Sequence, residues 1–357
     1  MNKRYSNMKS YLITGFLTVA TFLGVYAGNE DRVGSAGASE LLVNPWARSS
    51  AWADAGISSV EGLEAQFVNV AGLAFTPKTE IKFNYTNWLG TSGININTAG
   101  IAQKIGESNV IAVSVMGMTF GDMTITTSDL PEGGVGTFSP SYLNFSVSYA
   151  REFSRSIYGG VTLKVINQSI ANVKGTGVAF DAGIRYVTGE KDNIKFGIAL
   201  KNVGPPMSFN GDGLAVETIF AQTDMSSTTE MRSDKFELPS LLNIGASYDI
   251  LFNDSINTLT VAAGFTTNSF TSDQYRIGLN YGFASRVAAF NVMAGYVMEK
   301  GSFKKETRRT ALTGLTAGVS VDVLVGKNRS GIGIEYSYRH TNPFNGVHTI
   351  GARVNLK

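Results

Sequence analysis

The stretch Leu143-Asn144-Phe145-Ser146-Val147-Ser148-Tyr149-Ala150 sets four apolar side chains against three polar ones and an alanine, one for one. Successive side chains of a β-strand point to opposite faces, so this segment reads as a strand with one apolar face and one polar or small face. The same alternation returns where Ile194, Phe196, Ile198 and Leu200 interleave with Lys195, Gly197, Ala199 and Lys201. It returns again where Ile332, Ile334, Tyr336 and Tyr338 interleave with Gly333, Glu335, Ser337 and Arg339. A strand of this kind stands between two different environments.

Working outward from Leu143, about fourteen such segments follow one another from Thr79 to the last residue. They lie near 79–88, 93–104, 108–119, 142–153, 156–169, 176–187, 193–202, 240–250, 257–267, 273–283, 287–299, 310–325, 331–339 and 346–357. Most have the ~9–11 residues that a tilted transmembrane strand needs. The connections sort by length. Those at 105–107, 154–155, 188–192, 251–256, 284–286 and 326–330 are short, whereas 120–141, 203–239 and 300–309 are long and fall on the other side. Short periplasmic turns and long outer loops are the pattern of outer-membrane barrels. A closed antiparallel transmembrane β-barrel is expected, because a lipid-facing sheet cannot leave its edge N–H and C=O groups unpaired. The alternative is a large secreted β-sandwich or propeller, but no blade-length repeat is present.

Bulk composition agrees. Charged residues are 16% of 357, below the roughly 25% of an average soluble protein, and there are 40 glycines against 8 prolines. Beyond residue 27 no run approaches 18 apolar residues, so if the mature chain lies in a membrane it does not cross as helices. With no cysteine, disulfides, thiolate catalysis, Cys-ligated metals and a lipoprotein anchor are all excluded. At the start, Lys3, Arg4 and Lys9 precede the mostly apolar Tyr11 to Tyr26, and Val25-Tyr26-Ala27 is a small-x-small cleavage site. Residues 1–27 therefore read as a secretory signal peptide, which sends the chain out of the cytoplasm. Without those three basic residues the balance is 27 basic to 28 acidic, which gives no electrostatic case for nucleic acid.

Residues 28–78 precede the first strand and do not alternate. Their centre, Glu40 to Ala74, is rich in Ala and Gly and carries Trp46, Trp52 and Phe67. A barrel of fourteen strands leaves an open lumen unless something fills it. Residues 28–78 are expected to form a plug or hatch inside the barrel of residues 79–357, with Pro45, Trp46, Arg48, Trp52, Asn69, Gly72 and Leu73 as plug residues. The other arrangement is a cap on the periplasmic rim.

Chemistry-bearing motifs are few. His340 and His348 flank the last outer loop, without a third metal ligand in sight. Lys300, Lys304, Lys305, Arg308 and Arg309 form a basic outer run that reads as a solvated loop. The longest loop, Val203 to Pro239, carries Pro205, Pro206, Met207 and Phe209, which could grip a partner or pack over the barrel mouth. There is no Gly-x-Ser-x-Gly elbow and no phosphate loop, so neither catalysis nor a cofactor is indicated. Asp181 and Glu335 fall on lumen-facing positions. In the last segment Ile350, Ala352, Val354 and Leu356 share one face, and Lys357 stands where outer-membrane proteins commonly end in an aromatic.

The run Leu41-Leu42-Val43-Asn44-Pro45-Trp46-Ala47-Arg48, then Ala55-Gly56 and Asn69-Val70-Ala71-Gly72-Leu73, resembles the amino-terminal region of the PorV/PorQ family of FadL-like outer-membrane barrels. Val70 stands where that family usually has Pro, and Glu61-Gly62 replaces a more acidic pair. The resemblance implies a fourteen-stranded barrel with its leading segment folded inside. For the PorV/PorQ branch it implies a non-enzymatic part in type IX secretion: binding the C-terminal signal domains of secreted cargo, the translocon or a sortase attachment complex. For the FadL branch it implies a channel for hydrophobic small molecules, with an apolar pocket at the mouth.

Overall fold

A computed structural model describes residues 32–220, 225–252, 257–302, 308, 310–325 and 330–356; the expected signal peptide, Lys304, Lys305 and Arg309 lie outside them. Fourteen long strands follow in chain order: β1 Thr79–Trp88, β2 Ile94–Ile105, β3 Asn109–Thr119, β4 Ser141–Ser154, β5 Ile157–Ile170, β6 Val173–Thr188 and β7 Ile194–Val203 form the first half. β8 Leu241–Phe252, β9 Asn257–Asn268, β10 Gln274–Ala284, β11 Ala288–Glu299, β12 Leu312–Val325, β13 Ser330–Thr341 and β14 Val347–Leu356 form the second. Each begins within three residues of its expected position.

Every strand pairs antiparallel with its neighbour in sequence, and β1 pairs with β14 from Thr79↔Leu356 to Asn87↔His348. That seam closes the sheet on itself, and no barrel edge is left to face lipid. The alternation behaves as expected. On β1, Ile81, Phe83 and Tyr85 point out and are exposed, while Glu80, Lys82, Asn84 and Thr86 point in and are buried. Asp181 and Glu335 are likewise buried on the lumen side, and Ile350 and Leu356 are exposed on the outer one. Near the turns at the short-loop end, Phe153, Tyr186, Phe196, Tyr248, Phe252, Tyr281, Phe283 and Phe290 form an outward aromatic girdle. The apolar outer belt and closed wall place the protein in an outer membrane, with the short turns on the periplasmic side.

The long loops carry structure that the alternation did not announce. Residues 120–140 hold the two-residue pair Met123–Thr124 with Thr137–Phe138. Residues 204–240 hold Phe209–Asn210, which adds to β6 at Gly175 and Lys174, and a freestanding hairpin of Ala215–Phe220 with Met225–Glu230. Near the end of β7 Asn202 takes a left-handed backbone (φ 58) and gives its N–H to Asp181 Oδ1 at 2.7 Å, where the β6–β7 register shifts between Phe180 and Ala182.

Residues 39–76 fill the lumen as short helical turns, Ser39–Leu42, Ala47–Ala51, Gly62–Glu64, Ala65–Val68 and Val70–Phe75. Short turns let the segment follow the inside of the barrel while pairing backbone groups with one another, as Ser50 N–H does with the Trp46 carbonyl and Val60 N–H with that of Gly56. The wall accommodates it by losing side chains. Gly197, Gly245 and Gly264 lie in one cross-strand row on β7, β8 and β9, and Ile57 rests on all three. Gly278 and Gly295, paired on β10 and β11, carry the backbone of Trp52. Gly160 and Gly183 on β5 and β6 meet Val70, and Gly183 also meets Asn69. A Cβ at any of these positions would come within ~3.1 Å of a plug atom, inside ordinary van der Waals range.

Candidate functional site

The leading segment threads the barrel from mouth to rim. Arg32 pairs with Glu237 of the longest outer loop (Nη2 to Oε1, 2.5 Å) and lies over the Phe270 ring at 4.4 Å. The Gly37 N–H donates to the Glu237 carbonyl at 3.0 Å. At the other end, Phe75 packs at a tilt against Tyr158, with centroids 4.3 Å apart, under the Arg185 guanidinium at 3.9 Å. Arg185 in turn reaches the Val60 carbonyl (3.2 Å) and Glu61 (3.1 Å), and closes the periplasmic side.

The expected plug residues are all placed in the lumen. Trp46, Trp52, Asn69 and Leu73 are at most 5% exposed, and Pro45 and Gly72 are buried; Arg48 is half-buried. Asn69 acts as a clasp. Its Nδ2 donates to the carbonyls of Ile57 (2.9 Å) and Ile184 (3.2 Å), and its Oδ1 accepts from Ala71 N–H. Gly72 packs so tightly on the Val60 carbonyl that a Cβ would stand 2.2 Å from the oxygen. Trp46 lies beneath the Lys82 ammonium at 5.5 Å.

Two ion clusters join plug to wall. Lys82 of β1 bridges Glu64 of the plug (2.5 Å) and Glu335 of β13 (2.8 Å), all three fully buried. Burial alone would raise the Glu64 carboxyl, but Lys82, Arg48 and Arg353 together hold it below the usual carboxylate range. Nearer the mouth, Asp54 of the plug is shared by Arg339 of β13 (3.0 Å) and Arg276 of β10 (3.5 Å), and Asn44 donates to its other oxygen. Desolvation pushes the Asp54 carboxyl up, and the two guanidiniums, Asn44 and Lys201 outweigh it, so the net shift is downward.

Above Asp54 the barrel opens into a vestibule of about 590 Å³. Its two walls differ. One is apolar: Trp88 at the end of β1, Ile94 at the start of β2, Met118 and Phe120 at the end of β3, and Tyr142 at the start of β4. Phe120 and Tyr142 meet edge to face with centroids 4.8 Å apart, and the group packs on Val43, Ile96 and Met116. The other wall is mixed: Leu241, Val297 and Leu312 stand beside Arg276, Arg339, Gln274 and Glu299, the last group linked by Arg276 to Gln274 (2.8 Å) and Gln274 to Glu299 (3.2 Å). Leu42 and Val43 of the plug line its floor.

Sequence reasoning did not assemble this vestibule. Its apolar members sit where strands end and alternation stops, so no period marks them; only the run of aromatic and Met residues at successive outer ends could have. The four loop residues singled out earlier divide. Pro205 and Pro206 are exposed, Phe209 is half-buried against Phe236 at 5.4 Å, and Met207 is buried with Ala38, Leu41, Ile166 and Leu238. Met207 thus covers the mouth. The two histidines point outward on β13 and β14 around Tyr338; His340 bonds the Thr313 hydroxyl and His348 the Tyr336 hydroxyl, each at 2.8 Å. No metal-binding group of three or more ligands occurs among the described residues.

A closed fourteen-strand wall, an apolar outer belt, a self-filled lumen and a two-sided mouth define the class: a plugged outer-membrane β-barrel. No protein-family description matches the sequence, and no curated protein does. Solved structures do match in fold. The Pseudomonas putida toluene transporter TodX superposes with a TM-score of 0.52 at 11% identity, over 84% of this chain and 94% of that one. A Pseudomonas aeruginosa FadL homologue gives 0.51 at 13% identity, over 88% and 98%. The CymD monoaromatic hydrocarbon channel gives 0.50 at 12% identity, over 92% and 97%. At these identities the likeness is one of fold, and its fold is that of FadL-type barrels.

Proposed function

We propose that this protein is an outer-membrane channel for hydrophobic small molecules, with the vestibule as its first binding site. The apolar wall of Trp88, Ile94, Met118, Phe120 and Tyr142, open at the mouth and backed by the plug, carries the reading. A hydrophobic compound leaves water for that wall, and each fully covered aromatic or aliphatic contact is worth roughly 1.5–3 kcal/mol. Below the vestibule the clasped plug closes the lumen, so passage requires the plug to shift. The FadL-type fold supports the same reading, since the three matched structures are described as a toluene transporter, a FadL homologue and a hydrocarbon channel.

Calorimetric titration of the purified barrel with toluene as probe tests it. Saturable binding is expected, and the double variant Trp88→Ala/Phe120→Ala should weaken it by at least about tenfold. Absence of saturable binding, or equal binding by the variant, refutes the site. The second reading is docking of secreted-protein signal domains. It rests on the exposed Pro205 and Pro206 and on the freestanding hairpin of residues 215–230. Co-purification of secretion machinery or cargo with the barrel, lost when that hairpin is removed, would favour it.

A further inference from the structure

The lipid-facing wall carries a depression outside the vestibule. Two rows of outward residues cross the same four strands. Pairing puts Tyr149, Val161, Ala182 and Leu200 in one row of β4, β5, β6 and β7. The next row toward the periplasm is Arg151, Gly159, Ile184 and Ile198. The small members, Ala182 and Gly159, are diagonal neighbours, so a groove of about 640 Å³ runs obliquely between the large ones. Phe153 leans over its lower end; a Cβ on Gly159 would lie 2.9 Å from the Phe153 ring.

That lower end is where charge enters. Arg151 is the cross-strand partner of Gly159 and is exposed on the outer face, with its guanidinium 6.0 Å from the Phe153 ring centroid. Among the described residues it forms no ion pair. A second arginine, Arg155, is exposed in the turn that follows β4. The aromatic girdle of Phe153, Tyr186 and Phe196 marks this level as the periplasmic interface of the bilayer. An unpaired guanidinium at headgroup depth, above which an apolar groove runs toward the bilayer centre, is complementary to one kind of molecule. Its phosphate meets the arginine and an acyl chain lies over Ala182 and Gly159.

We infer that the β4–β7 face holds one anionic phospholipid of the periplasmic leaflet, with its phosphate on Arg151 and one acyl chain in the Gly159–Ala182 groove. The site is independent of the vestibule, which opens at the other end of the barrel and into the lumen. A single arginine near an anionic surface supplies about a fivefold preference for the charged headgroup.

Native mass spectrometry of the intact barrel in mild detergent, titrated with phosphatidylglycerol and separately with phosphatidylcholine, provides the test. The wild type should retain one phosphatidylglycerol, about fivefold more tightly than phosphatidylcholine. Arg151→Gln should remove the preference while one lipid is still retained. Ala182→Phe, which fills the groove from the lipid side and touches no plug residue, should abolish retention of both. Heat-modifiable migration on gels verifies that each variant is a closed barrel. Equal affinity for the two lipids in the wild type, or retention unchanged in Ala182→Phe, overturns the inference; toluene binding at the vestibule is unaffected by either substitution.

Discussion

Replacing Gly295 by alanine adds one methyl group at the place where β11 carries the plug. The new Cβ would stand 2.4 Å from the carbonyl carbon of Trp52, 2.6 Å from its oxygen and 2.8 Å from Ala53 Cβ. Two of these atoms are backbone and cannot rotate away. Non-bonded carbons settle near 3.5–4.0 Å, so the Trp52 turn must withdraw by about 1 Å. Overpacking of this size costs typically 1–3 kcal/mol, which shifts the docked-to-displaced ratio of the plug about 5- to 150-fold. Gly117→Ala on β3 is the matched control, since its Cβ would have nothing nearer than 4.0 Å. Planar-bilayer conductance of the purified barrels reads the outcome. Gly295→Ala is expected to open more often or conduct more than wild type, and Gly117→Ala to match wild type. If both variants behave as wild type while remaining closed barrels, the plug does not rest on the bare backbone of the wall and the reasoning fails.

Lys82→Met leaves Glu64 and Glu335 buried without their shared cation; a loss of about 3–5 kcal/mol is expected, read as a lower temperature for loss of heat-modifiable gel migration. Asp54 is held below its ordinary value of 3.8, so its contribution is fully present above that pH and is lost as pH falls through the lowered value. Solute flux through proteoliposomes should therefore stay flat from neutral pH to about pH 4 and rise below it, and Asp54→Asn should remove that acid step. Glu40 has the opposite sign. Burial raises its carboxyl above 4.5, against its own backbone N–H and the Gln168 amide, so stability is greatest below 4.5 and falls as pH rises through the raised value. Glu40→Gln should stabilise the barrel in alkaline melts and leave its acid melt unchanged.

The wall was legible because two-residue alternation is imposed on every strand by the two media it separates. Leu143 to Tyr149 already contain that rule, and loop length supplied the orientation. The filling of the lumen was legible in coarser form. Trp46 and Trp52 announced bulk to be buried, but the sockets that receive the Trp52 turn are glycines on strands more than two hundred residues away. Gly278 and Gly295 look in sequence like any small residue on a polar face, and nothing local says that a tryptophan backbone will lie on them. The Asp54 clamp was invisible for the same reason, since Arg276 and Arg339 stand three strands apart and both reach Asp54 only because the wall curves around the plug. The hairpin at 215–230 escaped because its strands stand in solvent on both faces and carry no apolar period. The resemblance to the PorV/PorQ family agreed with the structure at the level of the FadL-type barrel. The secretion role it implied finds no support among the matched folds.

Arg32 sits at the outer mouth and Thr79 at the periplasmic rim, so the chain passes through the ring that its own later residues form. That bears on assembly. Once the β1–β14 seam has zipped, sockets, clasps and ion clusters surround the segment tied at Thr79. Winding the strands around a segment already lying in place avoids threading it past them. Lys82 shows how the last step is registered: it sits on β1, at the seam, and reaches past β14 to Glu335 while holding Glu64. Closure and filling are thus recorded by one side chain, and a barrel that zips without its core leaves that lysine facing an open lumen with only Glu335 of its two carboxylates.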